Sequence, residues 1–240
     1  MLFKYRAISP RLTDSIVNQT WFFAKPEKLD DPFDCRVDIR KALARAANST
    51  SGLRAELLEA ALKRADGMLD RWAQQFAEFG VFSLSKTSTS ELLWAHYADE
   101  HRGVVLRYQF HKNFISDAQN KFVCFDIVKY GQNSVTQYLQ TATINQQEPE
   151  SFVNELAKLY LTAKTEAWSY QEEVRVIRNI SGPMQIPRGA LREIIFGLRT
   201  PPAEIERITA LASKYSDCHF FAQMQPDDSD SGFVARRIWA

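Results

Sequence analysis

Strand-like and helical segments alternate irregularly along this chain of 240 residues, and that irregularity constrains the fold more than any other feature. A doubly wound parallel sheet repeats a βαβ unit, with a helical crossover between successive parallel strands. No such spacing recurs here. The sequence therefore predicts an α+β fold with a mixed or largely antiparallel sheet and flanking helices.

Apolar periodicity and turn residues give the approximate positions of these elements. Strands are predicted at 2–5, 20–24, 82–85, 104–110, 122–130, 174–177, 194–196, 219–224 and 233–239. Helices are predicted at 12–17, from 49–51 to 76, from 88 to 97, at about 150–164 and from 200 to 211. Ser49 to Ser51 are candidate N-caps, Ser88 with Glu91 resembles a capping box, and residues 30–34 predict a turn around Pro32.

Composition limits the class of protein. The net charge is +1, so no polyanionic partner is required, and we predict one domain over residues 1–240. No apolar run has membrane length and the first residues lack a signal-peptide layout, which predicts a cytoplasmic protein with no membrane partner. Three widely spaced cysteines, Cys35, Cys124 and Cys218, favour reduced thiols over disulfides or a zinc site.

The common catalytic and cofactor motifs are absent. The chain has no Gly-x-Gly-x-x-Gly, no Gly-Lys-Ser phosphate loop, no His-Glu-x-x-His and no Gly-x-Ser-x-Gly. The closest histidines, His96 and His101, are five residues apart, which does not place two ligands on one helix face. No metal is expected.

Two strand segments are polar where a buried strand would be apolar. Residues two apart share a face of a strand, so Ser83 and Ser85 point together and away from Leu84. By the same rule, Gln171 and Glu173 share a face with Arg175. Lys4-Tyr5-Arg6 is a third polar segment.

This polar face suits cleavage of the bond between nicotinamide and ribose in NAD. Positive charge develops on the sugar in such a reaction, and a fixed carboxylate such as Glu173 stabilises it. Arg6 is suited to the dinucleotide pyrophosphate, a serine to the ribose or the glutamate, and Gln171 to an acceptor nucleophile. The predicted catalytic residues are Glu173 and Gln171.

Structural explanations compete with each of these roles. Glu173 and Arg175 also suit cross-strand ion pairs on an exposed strand face. Trp94 and Tyr97 are either core aromatics or the lining of a nicotinamide pocket, with the core favoured. His96 has a structural and a proton-transfer interpretation.

Several sequence blocks together resemble a bacterial family, domain of unknown function 2971. The opening blocks are Leu2-Phe3-Lys4-Tyr5-Arg6, Trp21-Phe22-Phe23-Ala24-Lys25-Pro26 and Asp31-Pro32-Phe33-Asp34. The later blocks are Phe82-Ser83-Leu84-Ser85, Leu93-Trp94-Ala95-His96-Tyr97-Ala98-Asp99 with His101-Arg102-Gly103-Val104, and Trp168-Ser169-Tyr170-Gln171-Glu172-Glu173-Val174-Arg175. The Trp-x-His-Tyr-Ala-Asp block is the most specific.

A second resemblance is to the Arg, Ser and Glu class of ADP-ribosyltransferases. It implies a split sheet that holds NAD, as substrate, with Ser83 and Ser85 as the serine strand and Gln171 with Glu173 as the Gln-x-Glu strand. The implied NAD-binding residues are Arg6, Tyr5, Ser83, Ser85, Trp94, His96 and Tyr97. Two departures are Leu84, where that class often has threonine, and Lys4, which competes with Arg6 for the phosphate.

The implied activity leaves the acceptor open. ADP-ribose passes either to water or to a protein or nucleic acid, the latter in a bacterial toxin or phage-defence role. One alternative is a metal-dependent hydrolase or nuclease that uses Asp31, Asp34 and Glu173. Another is a non-catalytic binding module, whose function would survive Glu173→Gln.

Overall fold

The computed structural model of the chain describes residues 1–31, 33–64, 66–131, 133–142, 149–227 and 232–239. Pro32 of the predicted turn lies outside the described residues. Beside it, the N–H of Phe33 donates to Asp31 Oδ1 at 2.9 Å, and the N–H of Asp34 donates to the Asp31 carbonyl at 3.0 Å. Both bonds are typical of an aspartate-initiated turn.

The strands of the described residues, numbered in chain order, are β1 (Leu2–Arg6), β2 (Thr20–Phe23), β3 (Gly80–Ser85), β4 (Val104–Tyr108), β5 (Phe122–Ile127), β6 (Lys129–Tyr130), β7 (Ala163–Lys164), β8 (Glu173–Arg178), β9 (Gly182–Gln185), β10 (Leu191–Phe196), β11 (Phe220–Pro226) and β12 (Phe233–Trp239).

The α-helices are α1 (Pro10–Val17), α2 (Ile39–Asn48), α3 (Leu53–Arg64), α4 (Asp66–Ala77), α5 (Glu91–Tyr97), α6 (Lys112–Ser116), α7 (Ser134–Thr141), α8 (Pro149–Thr162) and α9 (Pro202–Tyr215). Single 3₁₀ turns occur at Pro26–Lys28 and Ala118–Asn120, and a longer 3₁₀ helix spans Glu166–Gln171.

Eight strands form one sheet in the order β12-β11-β10-β4-β1-β3-β8-β5. Its pairs are antiparallel except β10 with β11, which are parallel. Two small sheets add β2 with β9 and β6 with β7. The predicted α+β class with a mainly antiparallel sheet and flanking helices is confirmed.

The predicted split of the sheet is not a separation, because the eight strands form one continuous series. The junction of β1 with β3 is nevertheless narrow: they are paired only at Phe3 with Ser85, whereas β3 and β8 pair over six positions. Beyond that pair Lys4 Nζ donates to the Ser83 carbonyl at 2.6 Å, so a side chain provides a hydrogen bond where the strands diverge.

Apolar side chains cover both faces of the sheet. On one face α1 and α9 pack, together with β2, over a cluster that includes Phe82, Leu106 and Phe196. On the other face, a second cluster joins α2, α4, α7 and α8 to Val81 and Ile177 of the sheet. A third, smaller cluster joins α5 to β1 and β4 on that same face. The space between the second and third clusters contains the polar residues considered below.

Several helix predictions need correction. In the segment predicted as a helix from 49–51 to 76, the described residues on either side of residue 65 form α3 and α4. Ser49 ends α2 instead of capping the next helix. Helix α2 was not predicted because alanines occupy many of its buried positions and weaken the apolar signal. The N-cap of α5 is Ser90, which accepts from the N–H of Leu93, and not Ser88.

No helix in the described part of the chain combines the length and apolar character needed to cross a lipid bilayer.

Candidate functional site

Strand β3, which bears Ser83 and Ser85, and strand β8, which begins with Glu173, are neighbours in the sheet. In the register of β3 with β8, Ser83 lies opposite Arg175 and Ser85 opposite Glu173. Directly opposed residues share a face of the sheet, so these four side chains point to the same side. Leu84 points to the other side, into the core. The sheet thus brings together two segments that are far apart in the sequence.

The shared face is buried, contrary to the expectation of an exposed strand face. Glu173 is 3% exposed and Arg175 is wholly buried. Ser85 is also buried, and Ser83 is half-buried. A cross-strand ion pair at the surface therefore does not describe this site.

Gln171 is not on the strand. It ends the 3₁₀ helix Glu166–Gln171, and Glu172 then adopts a left-handed conformation with φ 43° before β8 begins. The Gln171 side chain still reaches the site: its Nε2 donates to the Tyr97 hydroxyl at 2.9 Å and its Oε1 accepts from Lys164 at 2.8 Å. Ser85 Oγ donates to the Gln171 carbonyl at 2.8 Å, which holds the turn against β3.

Arg175 organises the charges of the site. Its Nε donates to Glu173 Oε1 at 2.8 Å and its Nη2 to Glu173 Oε2 at 3.1 Å. The other edge of the guanidinium meets Asp34, with Nη1 to Oδ1 at 2.9 Å and Nη2 to Oδ2 at 2.5 Å. Nη1 also donates to the Leu161 carbonyl at 2.6 Å. One arginine thus makes two forked carboxylate contacts, a strong and directional arrangement.

Lys164 is the second cation of the site. Its Nζ lies 3.0 Å from Glu173 Oε2 and 3.3 Å from Asp34 Oδ2, and its side chain is 6% exposed. Two carboxylates and two cations therefore balance in charge within one buried cluster, which we call the Glu173 network: Asp34, Lys164, Glu173 and Arg175. Buried charges persist only when they are paired in this way.

These contacts set the protonation state of Glu173. Burial by itself raises the pKa of the Glu173 carboxyl, but the charges of Arg175 and Lys164 and a hydrogen bond from Ser83 contribute to lowering it to about 2. The backbone N–H of Glu173 donates to the Tyr130 hydroxyl at 2.8 Å. Burial raises the pKa of Tyr130 to about 12, so this phenol stays neutral beside the carboxylate.

The other predicted NAD-binding residues are placed apart from the network. Arg6 is exposed and lies opposite Val104, which belongs to the cluster on the other face of the sheet. His96 is exposed on α5. Trp94 is wholly buried and meets Tyr5 edge to face at 5.4 Å, so both are core aromatics. Tyr97 alone among the α5 candidates contacts a network partner, through Gln171.

Lys4 contacts β3, the strand that bears Ser83 and Ser85. Besides its bond to the Ser83 carbonyl, its Nζ lies over the Phe82 ring at 5.0 Å from the centroid. Burial, and then the charge of Arg6, hold the pKa of Lys4 well below its usual range, while Glu173 acts in the opposite direction. Lys4 is therefore in contact with the serine-bearing strand β3.

No sequence pattern identifies Lys164 as part of the site. It lies on the two-residue strand β7, outside any motif, and no local pattern connects it to Glu173. Strand alternation predicts the correct face for Arg175, but no sequence pattern connects Asp34 to it. The contact between Asp34 and Arg175 joins positions 141 residues apart.

The predicted alternative of a metal site at Asp31, Asp34 and Glu173 has a different geometry in the structure. Asp34 and Glu173 converge on Arg175 and Lys164, which supply the positive charge that a divalent ion would otherwise provide. Asp31 caps its own turn through Phe33. Among the described residues, no group of three or more histidine, cysteine or acidic side chains is arranged to hold a metal ion.

Comparisons with known proteins bear on the resemblance predicted from the sequence. Neither the comparison with curated proteins nor the one with solved structures gave a match. Residues 93–176 match a family described as Protein of unknown function (DUF2971), a range that begins in α5 and ends in β8. The predicted resemblance to domain of unknown function 2971 is therefore confirmed over residues 93–176.

Proposed function

We propose that this protein is an ADP-ribosyltransferase-like enzyme that cleaves the bond between nicotinamide and ribose in NAD. The observation that supports the proposal is the adjacency of Ser83, Ser85 and Glu173 across β3 and β8, with Gln171 beside them. These are the residue types that the chemistry requires, and they converge on one face of the sheet.

Glu173 has the protonation state that this reaction needs. A carboxyl whose pKa is about 2 is ionised at every physiological pH. As the bond to nicotinamide breaks, positive charge grows on the ribose, and a fixed carboxylate stabilises that charge more than it stabilises the bound substrate. Arg175 holds the carboxylate in place, so little reorganisation accompanies the reaction.

The neighbouring residues have complementary roles in the proposal. The half-buried hydroxyl of Ser83 hydrogen-bonds Glu173 and is placed to orient it or the ribose. In the proposal, Gln171 orients the acceptor, which is water or a macromolecule. Lys4, which donates to the Ser83 carbonyl where β1 and β3 diverge, is the candidate contact for the pyrophosphate.

The experiment is a measurement of nicotinamide release from NAD by the purified protein, alone and with cell lysate as a source of acceptors. Glu173→Gln removes the charge of the carboxylate. We expect the rate of nicotinamide release to fall by at least about a hundredfold, which is typical of removing one preorganised electrostatic group. Glu172→Gln is the matched control, because it makes the same change one residue away at an exposed position. Loss in both variants, or release that survives Glu173→Gln in a folded protein, contradicts the proposal.

One observation favours a second candidate, the non-catalytic binding module. Both oxygens of Glu173 already have cationic partners within the protein, as they would in a purely structural network. This candidate predicts no nicotinamide release from the wild type under any acceptor condition. It also predicts that Glu173→Gln alters stability without altering binding of the partner by the folded protein.

A further inference from the structure

Lys164 stands between the two proposed catalytic residues. Its Nζ is 2.8 Å from Gln171 Oε1 and 3.0 Å from Glu173 Oε2, so one ammonium group contacts both side chains at once. It also lies over the Trp168 ring, 5.1 Å from the centroid. Carboxylate and amide oxygens beside an aromatic face are a favourable environment for a cation.

The two cations of the network differ in how firmly they are held. The guanidinium of Arg175 is wholly buried and is fixed on one edge by Asp34 and on another by Glu173. Lys164 ends a flexible stem of four methylene groups and makes single contacts with each partner. A substrate that approaches Gln171 and Glu173 together must therefore take the place of the Lys164 ammonium, since Arg175 cannot withdraw without breaking both forks.

We propose that the ammonium of Lys164 and a positively charged group of the substrate are alternative occupants of one cation site, formed by Gln171 Oε1, Glu173 Oε2, Asp34 Oδ2 and the face of Trp168. The ligand class is an organic monocation, and the pyridinium ring of NAD, with the positive charge that passes to the ribose, belongs to that class. This inference rests on the proposed function, which it deepens by assigning the charge of the ligand.

Charge balance gives the inference its selectivity. With Lys164 in place, the two carboxylates and the two cations cancel. When Lys164 withdraws, Asp34 and Glu173 exceed Arg175 by one negative charge, and a buried charge without a partner is costly. A monocation restores the balance, whereas a neutral ring of the same shape does not.

The test compares two ligands: neutral nicotinamide, and the cation formed when its ring nitrogen carries a methyl group. The two compounds differ chiefly in charge. In Lys164→Met the site lacks its internal occupant, and we expect the methylated cation to raise the melting temperature progressively with concentration while nicotinamide does not. Lys164→Arg keeps a cation in the site and serves as the control, for which we expect at least a tenfold weaker response. Equal responses to the two compounds, or no response to the cation, overturn the inference.

A second measurement uses the wild-type protein and does not depend on the folding of Lys164→Met. The Lys164 amine is buried and should resist acylation, as peptide mass spectrometry would show against exposed lysines such as Lys41. We expect the methylated cation, but not nicotinamide, to increase labelling at Lys164 severalfold. Unchanged labelling at cation concentrations up to the limit of solubility contradicts displacement.

These binding measurements are separable from turnover. If the protein binds the methylated cation selectively but releases no nicotinamide from NAD, the cation site is supported and the proposed reaction is refuted. If the protein turns over NAD while neither measurement detects selectivity for the cation, the reaction is supported and the proposed role of Lys164 is refuted.

Discussion

Arg175 is a wholly buried arginine at the centre of the Glu173 network. Each nitrogen of its guanidinium has an acceptor, provided by Glu173, Asp34 and the Leu161 carbonyl. Cys35 Sγ also lies 3.3 Å from Nη1, and burial raises the pKa of that thiol to about 12, so it stays protonated and adds no charge. A buried arginine with complete hydrogen bonding stabilises the ionised state of Glu173, and this protonation state is accessible to experiment.

The pH dependence of stability tests it at the residue scale. The folded-state pKa of Glu173 is about 2, against 4.5 for an unperturbed carboxyl, so its contribution is present above the unfolded value and is lost as pH falls toward 2. The shift corresponds to about 3 kcal/mol. We expect Glu173→Gln to lower the free energy of unfolding at pH 7, and the difference from wild type to narrow between pH 5 and pH 2.

Urea denaturation at several pH values measures that difference. Glu172→Gln, at an exposed neighbour, should follow the wild type throughout. A difference between wild type and Glu173→Gln that stays constant with pH would mean that the carboxyl has no depressed pKa.

At the scale of elements, the turn after α5 joins the most specific sequence block to the sheet. Asp99, Glu100 and His101 all have positive φ, at 48°, 49° and 70°, which is uncommon for residues other than glycine. The loop between β10 and α9 holds this turn in place, because the N–H of Arg199 donates to the His101 carbonyl at 2.9 Å. Close approach of the two backbones requires a residue without a side chain at Gly197.

A substitution at Gly197 tests this close contact. The Cβ of an alanine there would lie 2.1 Å from the His101 carbonyl oxygen, which is far inside van der Waals contact. We expect Gly197→Ala to destabilise the protein by about 1–3 kcal/mol, as overpacking does. Gly67→Ala is the control, since its Cβ would meet only the end of Arg71 at 3.6 Å and alanine favours the helix. Thermal denaturation of both variants distinguishes them, and equal melting temperatures would refute the close approach.

At the scale of the whole molecule, the Glu173 network ties the sheet to the helical layer on one of its faces. Asp34 precedes α2, Leu161 belongs to α8 and Arg175 lies on β8, so one guanidinium joins three distant segments. The apolar cluster of the same layer includes Leu156 and Ile177, next to these polar contacts. Loss of the ion pair between Asp34 and Arg175 should therefore lower the stability of the whole fold and not of one loop.

Asp34→Asn provides the test. It removes one of the two buried carboxylates and leaves Glu173 as the sole carboxylate partner of Arg175 and Lys164 in the network. We expect this excess buried positive charge to lower the free energy of unfolding by about 3–5 kcal/mol. Glu78→Gln breaks the exposed pair with Lys25 and should leave stability unchanged within measurement error. Unfolding by urea, followed by circular dichroism and tryptophan fluorescence, gives both values. Similar effects of the two substitutions would contradict a central role for the network.

Features that depend on local pattern are predictable from the sequence. Alternation in Phe82-Ser83-Leu84-Ser85 predicts which face each side chain takes, and the irregular order of elements predicts an α+β fold with a mainly antiparallel sheet. The blocks around Trp94 and Glu173 were sufficient to predict the family resemblance. These inferences hold because strand periodicity and short motifs are properties of neighbouring residues.

Which polar residues are buried together depends on the packing of distant segments and is visible in the folded protein alone. The sequence is equally compatible with an exposed ion pair and with a buried network for Glu173 and Arg175, and in the folded protein the helical layer buries them. Lys164, which pairs with Glu173, has no sequence signal at all. Gln171 left the strand because Glu172 takes a left-handed conformation, yet its side chain still reaches Lys164. Burial and long-range pairing depend on how distant segments pack, and periodicity within one segment carries no information about its partners.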